Sequence, residues 1–318
     1  MPDSRRRFLR TAATAALAAP FIGAFGLPGA RAATSAPAAD GPFTMLRRGV
    51  GTFTGRGGTI GVLATRDALV VVDTQFADTA AQLWAGLTAP DGWAAGRDRI
   101  DVLVNTHHHG DHTSGNATLA RYAARHVAHA AVYGLQRASA VQSGALAAQA
   151  FPGESFAETW RADIGGGETL ALRHIEPAHT AGDAVVHFEA ANVAHLGDLV
   201  FNRMAPFVDL AGGASTAGWI RSLDRIVADF DDDTLFVFGH GAPGFGVTGT
   251  RADVRVMRDF LTAMSAFVAD ARAAGKTADE VAATDRLPGF PDHFSETRRQ
   301  ALPNALRALY AEQSRPTR

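Results

Sequence analysis

The sequence predicts a layered α/β sandwich folded as one domain, and two observations carry that reading. Short apolar runs bounded by turn residues fall into two blocks, each accompanied by segments of helical spacing. The runs also end in polar residues, so the histidines and aspartates collect where strands stop.

In the first block the texture becomes strand-like at Phe43. "GTIGVLATRD" and "ALVVVDTQF" are apolar runs separated by the turn signal Thr65-Arg66-Asp67. "ADTAAQLWAGLTA" (77–89) has helical spacing, and "RIDVLVNTH" (99–107) is a buried strand. A helix from about Ser114 to Arg125 and a strand at His126 to Ala130 follow. In the second block "ETLALRHIEPAH", "DAVVHFEA", "NVAHLGDLVF" and "TLFVFGHG" are four strands, with an amphipathic helix, "TAGWIRSLDRIVADF" (216–230), before the last. The tail is helical. Val256, Phe260, Leu261, Met264, Phe267 and Val268 form a core-facing stripe, and Thr277 and Glu280 form a capping box. A final helix over residues 295–313 is expected to kink at Pro303.

The N-terminus has a different character. "SRRRFLR" precedes an alanine-rich apolar run and the small-x-small sequence Ala30-Arg31-Ala32, the layout of a secretory signal cleaved after Ala32. Arg5-Arg6 with Phe8-Leu9 in register resemble a twin-arginine export signal, which implies the twin-arginine translocase as partner and a periplasmic or other extracytoplasmic location. Residues 33–42 read as a flexible leader. The expected mature chain holds no apolar stretch long enough for stable membrane insertion. Loss of residues 1–32 removes five arginines and one aspartate, moving the net charge from −2 to −6. Lys276 is the only lysine, and no basic patch argues for nucleic acid. With no cysteine, disulfides, thiolate ligands and a cysteine nucleophile are all excluded.

The chemistry concentrates in "NTHHHGDHTSGN" (105–116). Clustered imidazoles are costly to bury without a partner, and neutral imidazole with carboxylate is a good donor set for zinc. The spacing of His107, His109, Asp111 and His112 lets alternate residues face one way, so His108 should point elsewhere.

H-x-H-x-D-H after an apolar strand resembles the metallo-β-lactamase superfamily. "PAHTAGD" (His179), "LGDLVF" (Asp198), "FGHGAPG" (His240) and "VVVDTQ" (Asp73) fall in that family's order over roughly residues 43–250, leaving residues 251–318 as a helical extension packed on the domain. The resemblance implies a four-layer αββα sandwich with a helical C-terminal tail. It also implies two metal ions, zinc with iron or manganese as alternatives. His107, His109 and His179 would hold the first, Asp111, His112 and His240 the second, and Asp198 would bridge them. Asp73 matches the family's structural aspartate. His126, His129, His174, His187, His195 and His293 read as core or surface residues, with His195 the least secure because it lies three positions before Asp198.

Two zinc ions sharing one oxygen make a hydroxide near neutral pH, so the expected activity is hydrolysis of a small ester, lactone or β-lactam, with Asp111 and Asp198 as the catalytic carboxylates. A bridging aspartate is shared by thioesterases of the glyoxalase II type, which stand as the alternative together with iron-dependent oxidoreductases resembling persulfide dioxygenases. Phe201, Arg203, Met204 and Phe207, after the bridging aspartate, are candidate substrate contacts, with Arg203 placed either on a carboxylate or phosphate or in a surface salt bridge. "TFTGRGGT" (52–59) is a hairpin that either overhangs the metals or is a simple turn.

Overall fold

The structure is a computed structural model that describes residues 42–293 and 301–315, all within one compact unit spanning 37–318. The expected signal, most of the leader and the start of the last helix lie outside the described residues.

The first sheet opens with an antiparallel meander of β1 (Phe43–Arg47), β2 (Val50–Phe53), β3 (Ile60–Ala64) and β4 (Leu69–Val72). After α1 (Ala77–Thr88) it continues in parallel: β5 (Ile100–Asn105) pairs with β4. Two single-turn helices, α2 (Gly110–Thr113) and α3 (Asn116–Leu119), lead to β6 (Ala123–His129). α4 (Ala130–Gln142) then leads to β7 (Glu154–Phe156), which closes the seven-stranded sheet in the order β1 to β7.

The second sheet contains β8 (Thr159–Asp163), β9 (Thr169–Arg173), β10 (Val185–Phe188) and β11 (Val193–His195). The chain then forms β12 (Phe201–Asn202), α5 (Thr216–Asp229), β13 (Leu235–Val237), β14 (His240–Gly241) and β15 (Thr248–Gly249). The six-stranded order is β15-β13-β11-β10-β9-β8, with β11 and β13 parallel, while β12 and β14 form a separate parallel pair. Helices α6 (Arg251–Ala273), α7 (Ala278–Ala282) and α8 (Leu302–Gln313) complete the chain.

Three apolar clusters define four layers. On β4, Val70 and Val72 face the second sheet and meet Leu172, Val186 and Phe188. Leu69 and Val71 face the other way, against Leu83 and Leu87 of α1. Burial on both faces explains why β4 reads as an unbroken apolar run. Across the molecule, Phe236 of β13 packs with Trp219, Leu223 and Ile226 of α5 and with Phe260 and Met264 of α6. Each such side chain contributes about 1.5–3 kcal/mol on burial. The result is an αββα sandwich whose C-terminal helices seal the outer face of the second sheet.

Two helix expectations change. The stretch from Ser114 to Arg125 holds only a four-residue turn, because the chain re-enters the sheet at Ala123, paired with Ile100. Parallel pairing overrides a moderate helical preference there. Pro303 does not kink a helix; it lies in the first turn of α8, where its missing N–H has no intrahelical partner to lose. The stripe on α6 is centred on Val254, Met257, Phe260, Leu261, Met264 and Val268, with Val256 and Phe267 only half-buried.

Candidate metal centre

The site gathers at the carboxyl ends of parallel strands, where α/β sheets commonly bind ligands. Asp73 follows β4, His107 follows β5, Asp198 follows β11 and His240 follows β13. α2 carries Asp111 and His112, with His109 as its N-cap residue, and His179 lies on the loop between β9 and β10.

Three imidazole nitrogens converge at one position. His107 Nε2 and His179 Nε2 each lie 3.0 Å from His109 Nδ1. A second group joins Asp111, His112 and His240, with His240 Nε2 3.2 Å from Asp111 Oδ2 and 3.4 Å from His112 Nε2. Asp198 stands between them. Its Oδ1 is 3.1 Å from His112 Nε2, and its Oδ2 is 3.5 Å from His179 Nε2 and 3.4 Å from His240 Nε2. All seven residues are thus brought together.

Hydrogen bonds behind the cluster set the direction of several rings. Asp73 is buried; its Oδ1 accepts from Thr106 N–H at 2.8 Å, and its Oδ2 accepts from Thr106 Oγ1–H at 2.7 Å and from His112 Nδ1 at 2.8 Å. The bond to Asp73 leaves His112 Nε2 facing the site. Thr106 Oγ1, already donating to Asp73, accepts from His107 Nδ1 at 3.1 Å. Asp73 holds a left-handed backbone, φ 66°, the kind of strain that collects at functional sites.

The electrostatics are those of a cluster short of cations. Burial by itself would raise the Asp198 carboxyl, but His240, His112 and His107 hold it well below the usual range. Burial depresses His107 well below its ordinary value, with His112 adding to the effect, and depresses His179 to about 3 against the pull of Asp198. For His240 burial is overcome by Asp198 and Asp111, which push it up to about 9. His112 is likewise raised, by Asp198, Asp73 and Asp111, in spite of burial. Buried carboxylates therefore keep protons on two imidazoles, and a cation binding there competes with those protons. Asp198 Oδ1 is buried and has no well-aligned hydrogen-bond donor among the described residues. This donor set and the orphaned oxygen fit divalent metal ions.

The glycine-rich hairpin reaches this cluster. Gly58 N–H donates to Asp111 O at 3.1 Å, and a Cβ at Gly58 would lie 2.1 Å from His112 Cε1. Gly239 is equally constrained, since its Cβ would fall 1.9 Å from Asp198 Oδ1. His195 serves the same hairpin, with Nε2 bonded to Thr59 O at 3.1 Å and Nδ1 accepting from Gly197 N–H. It is a core residue.

The candidate substrate residues lie in different settings. Arg203 is occupied elsewhere: its guanidinium donates to Asn202 Oδ1 at 3.0 Å and to Asp253 Oδ1 at 3.1 Å. Phe201 is fully buried, its ring stacked on His240 at 5.3 Å, because the β12–β14 pairing sets the two side by side. It supports ligands from behind and forms no pocket wall. Met204 packs against the outer core. Phe207 alone of the four is half-buried and beside a ligand ring, 5.3 Å from His109.

Asp209 was not legible in the sequence. Its Oδ2 lies 2.9 Å from His109 Nε2 and 3.4 Å from His108 Nε2, so His108 does face away from the two groups. The only sequence signal is an acid just before a glycine pair in "VDLAGG".

The family model described as the metallo-beta-lactamase superfamily matches residues 53–240. Among solved structures, the stereoselective inverting sec-alkylsulfatase from Pseudomonas sp. superposes with a TM-score of 0.65 at 15% identity, covering 86% of this chain and 50% of that one. This chain thus spans about half the length of that enzyme. Metallo-beta-lactamases from Pontibacter korlensis and Hirschia baltica give TM-scores of 0.52 and 0.54 at 19% and 17% identity, each covering 69% of this chain and 98% and 96% of theirs. No curated protein sequence matches. Since the family match extends over more than half of the residues, from the second strand to the last histidine of the cluster, the chain belongs to the metallo-beta-lactamase superfamily.

Proposed function

We propose that the protein is a dinuclear zinc hydrolase that cleaves a small ester, lactone or β-lactam. The observation that carries this reading is the position of Asp198, with one carboxylate oxygen toward His112 and the other toward His107, His179 and His240. His107, His109 and His179 would hold one ion, Asp111, His112 and His240 the other, with Asp198 between. A metal pair supplies Lewis acidity toward a carbonyl oxygen and renders water acidic near neutral pH.

The chain's own residues do the rest. His107, His112 and His179 are at most 1% exposed, whereas Asp111 is 25% and His240 13% exposed, so substrate approaches from the Asp111–His240 side. Asp111 Oδ2 is the carboxylate at that mouth able to accept a hydrogen bond from water and orient it. Phe207 offers an apolar contact beside His109. The Gly57-Gly58 turn, pressed on Asp111 and His112, screens the cluster from bulk water.

Likeness to an alkylsulfatase over 86% of this chain favours a second reading, a sulfate ester as substrate. One panel separates the two. Zinc-loaded protein is assayed on aryl esters, lactones, β-lactams, lactoylglutathione and a secondary alkyl sulfate. The first reading expects the highest kcat/KM on a carbonyl substrate other than the thioester; a preference for the sulfate selects the second, and preference for the thioester rejects both.

Export belongs to the same proposal. Arg5-Arg6 and Phe8-Leu9 support twin-arginine translocation with cleavage after Ala32, folded and metal-loaded, to an extracytoplasmic site. Lysines in place of Arg5 and Arg6 should leave uncleaved protein in the cytoplasm. Continued export without the translocase rejects it.

A further inference from the structure

The loop after β12 touches the cluster through one carboxylate, and its local construction is specific. Asp209 Oδ2 lies 2.9 Å from His109 Nε2 while Oδ1 accepts from Gly212 N–H at 2.9 Å. The Asp209 carbonyl accepts from Ala214 N–H at 2.8 Å, so the turn closes on itself. Gly212 has to be glycine, because a Cβ there would lie 2.1 Å from Asp209 Oδ2 and 2.8 Å from His108 Cε1. The same turn is pinned to the loop that carries His179: Ala181 N–H donates to Gly212 O at 2.8 Å and Ser215 N–H donates to Ala178 O at 2.9 Å.

His109 differs from its neighbours in which nitrogen it presents. His107 and His179 face the cluster with Nε2, whereas His109 faces it with Nδ1. A neutral imidazole carries its proton on one nitrogen only, and its partner at the other selects the tautomer. A carboxylate at Nε2 therefore frees the Nδ1 lone pair, the arrangement that holds a metal ligand in orientation.

We propose that Asp209 is the positioning residue of the first metal position: it fixes His109 in the Nε2–H tautomer and, through the Gly212 turn, couples the His109 ring to the His179 loop. The assignment rests on the two-metal reading above, and it makes the 209–215 loop part of the metal centre. The corresponding carboxylate for the second position is Asp73, just after β4 of the first sheet.

Two measurements test it. Nitrogen-15 NMR of the histidine rings in metal-free wild-type protein, at mildly alkaline pH, should show His109 protonated at Nε2 and bare at Nδ1. The reverse tautomer overturns the proposal without any variant having to fold. Zinc titration against a chromophoric chelator then compares wild type, Asp209→Ala and Asp209→Asn. Asp209→Ala should weaken one zinc by about 10–100-fold, and Asp209→Asn, whose carboxamide oxygen still accepts from His109, should stay closer to wild type. The loss should persist when His240 is also replaced by alanine and vanish when His179 is, because only the latter already lacks the first position. Unchanged affinity in Asp209→Ala, or equal weakening of both zincs, overturns the assignment. A wild type that binds no zinc counts instead against the two-metal reading, and the tautomer result then decides Asp209 alone.

Discussion

Asp198 Oδ1 and His112 Nε2 lie 3.1 Å apart in a buried ion pair, with no well-aligned hydrogen-bond donor on that oxygen among the described residues. A buried carboxylate in that state is costly unless a cation supplies what the hydrogen bond does not. Asp198 is therefore the residue on which both halves of the cluster depend.

From that relationship follows a ranking of metal loss. Asp198→Ala should lower the bound metal at both positions, whereas His179→Ala should lower mainly the first and His240→Ala mainly the second. Elemental analysis of each purified variant measures this. A strong chelator should abolish activity and added zinc should restore it; full turnover by metal-free protein contradicts the mechanism.

Asp73 predicts an effect on stability that does not need metal. Asp73→Ala leaves Thr106 N–H, Thr106 Oγ1 and His112 Nδ1 without their acceptor. A buried group left unsatisfied costs about 1–3 kcal/mol. Urea unfolding of the metal-free variant should show a loss in that range or larger, and second-position zinc should bind about 10–100-fold more weakly. An unchanged unfolding midpoint would remove Asp73 from its supporting role.

Arg203 should behave as a structural residue. Its pair with Asp253 is partly buried, the two side chains 18% and 25% exposed. Arg203→Ala is expected to cost about 1 kcal/mol of stability and to leave KM for carboxylate-bearing and neutral substrates in the same ratio. A selective rise in KM for the anionic substrate would return Arg203 to the substrate site.

Acid should weaken the fold through histidines outside the cluster. Burial holds His126 down to about 4, and burial with Arg203 nearby does the same to His293. Their ordinary value is about 6.5, so between there and about 4 the unfolded chain binds protons that the folded chain refuses. Stability from these groups is complete above the upper value and is lost as pH falls through the window. His293 stacks on Phe260 at 4.0 Å and neither ring nitrogen has a hydrogen-bond partner among the described residues, so Phe can replace it. His293→Phe should flatten the acid limb of a stability-versus-pH curve; an identical slope would show that His293 does not contribute.

The sequence by itself determined most of the sheet-forming runs and the local cluster from His107 to His112, while His179, Asp198 and His240 came from the order of motifs in the family it resembles. Val70 to Val72 read as strand from an apolar, β-branched run bounded by turn residues, and four histidines within six positions call for a shared partner. Tertiary structure alone decided three other things. The helix expected from Ser114 to Arg125 stopped after one turn because Ile100 was available to pair with Ala123 and start a strand there. Of the two settings open to Arg203, the ion pair formed because Asp253, fifty residues on, lies within reach of it. Asp209 joined the site because a turn about Gly212 brings its carboxylate to His109, a hundred residues earlier. Periodicity and spacing report what neighbours along the chain share; which carboxylate meets which cation or ring across the fold depends on distances that only packing sets.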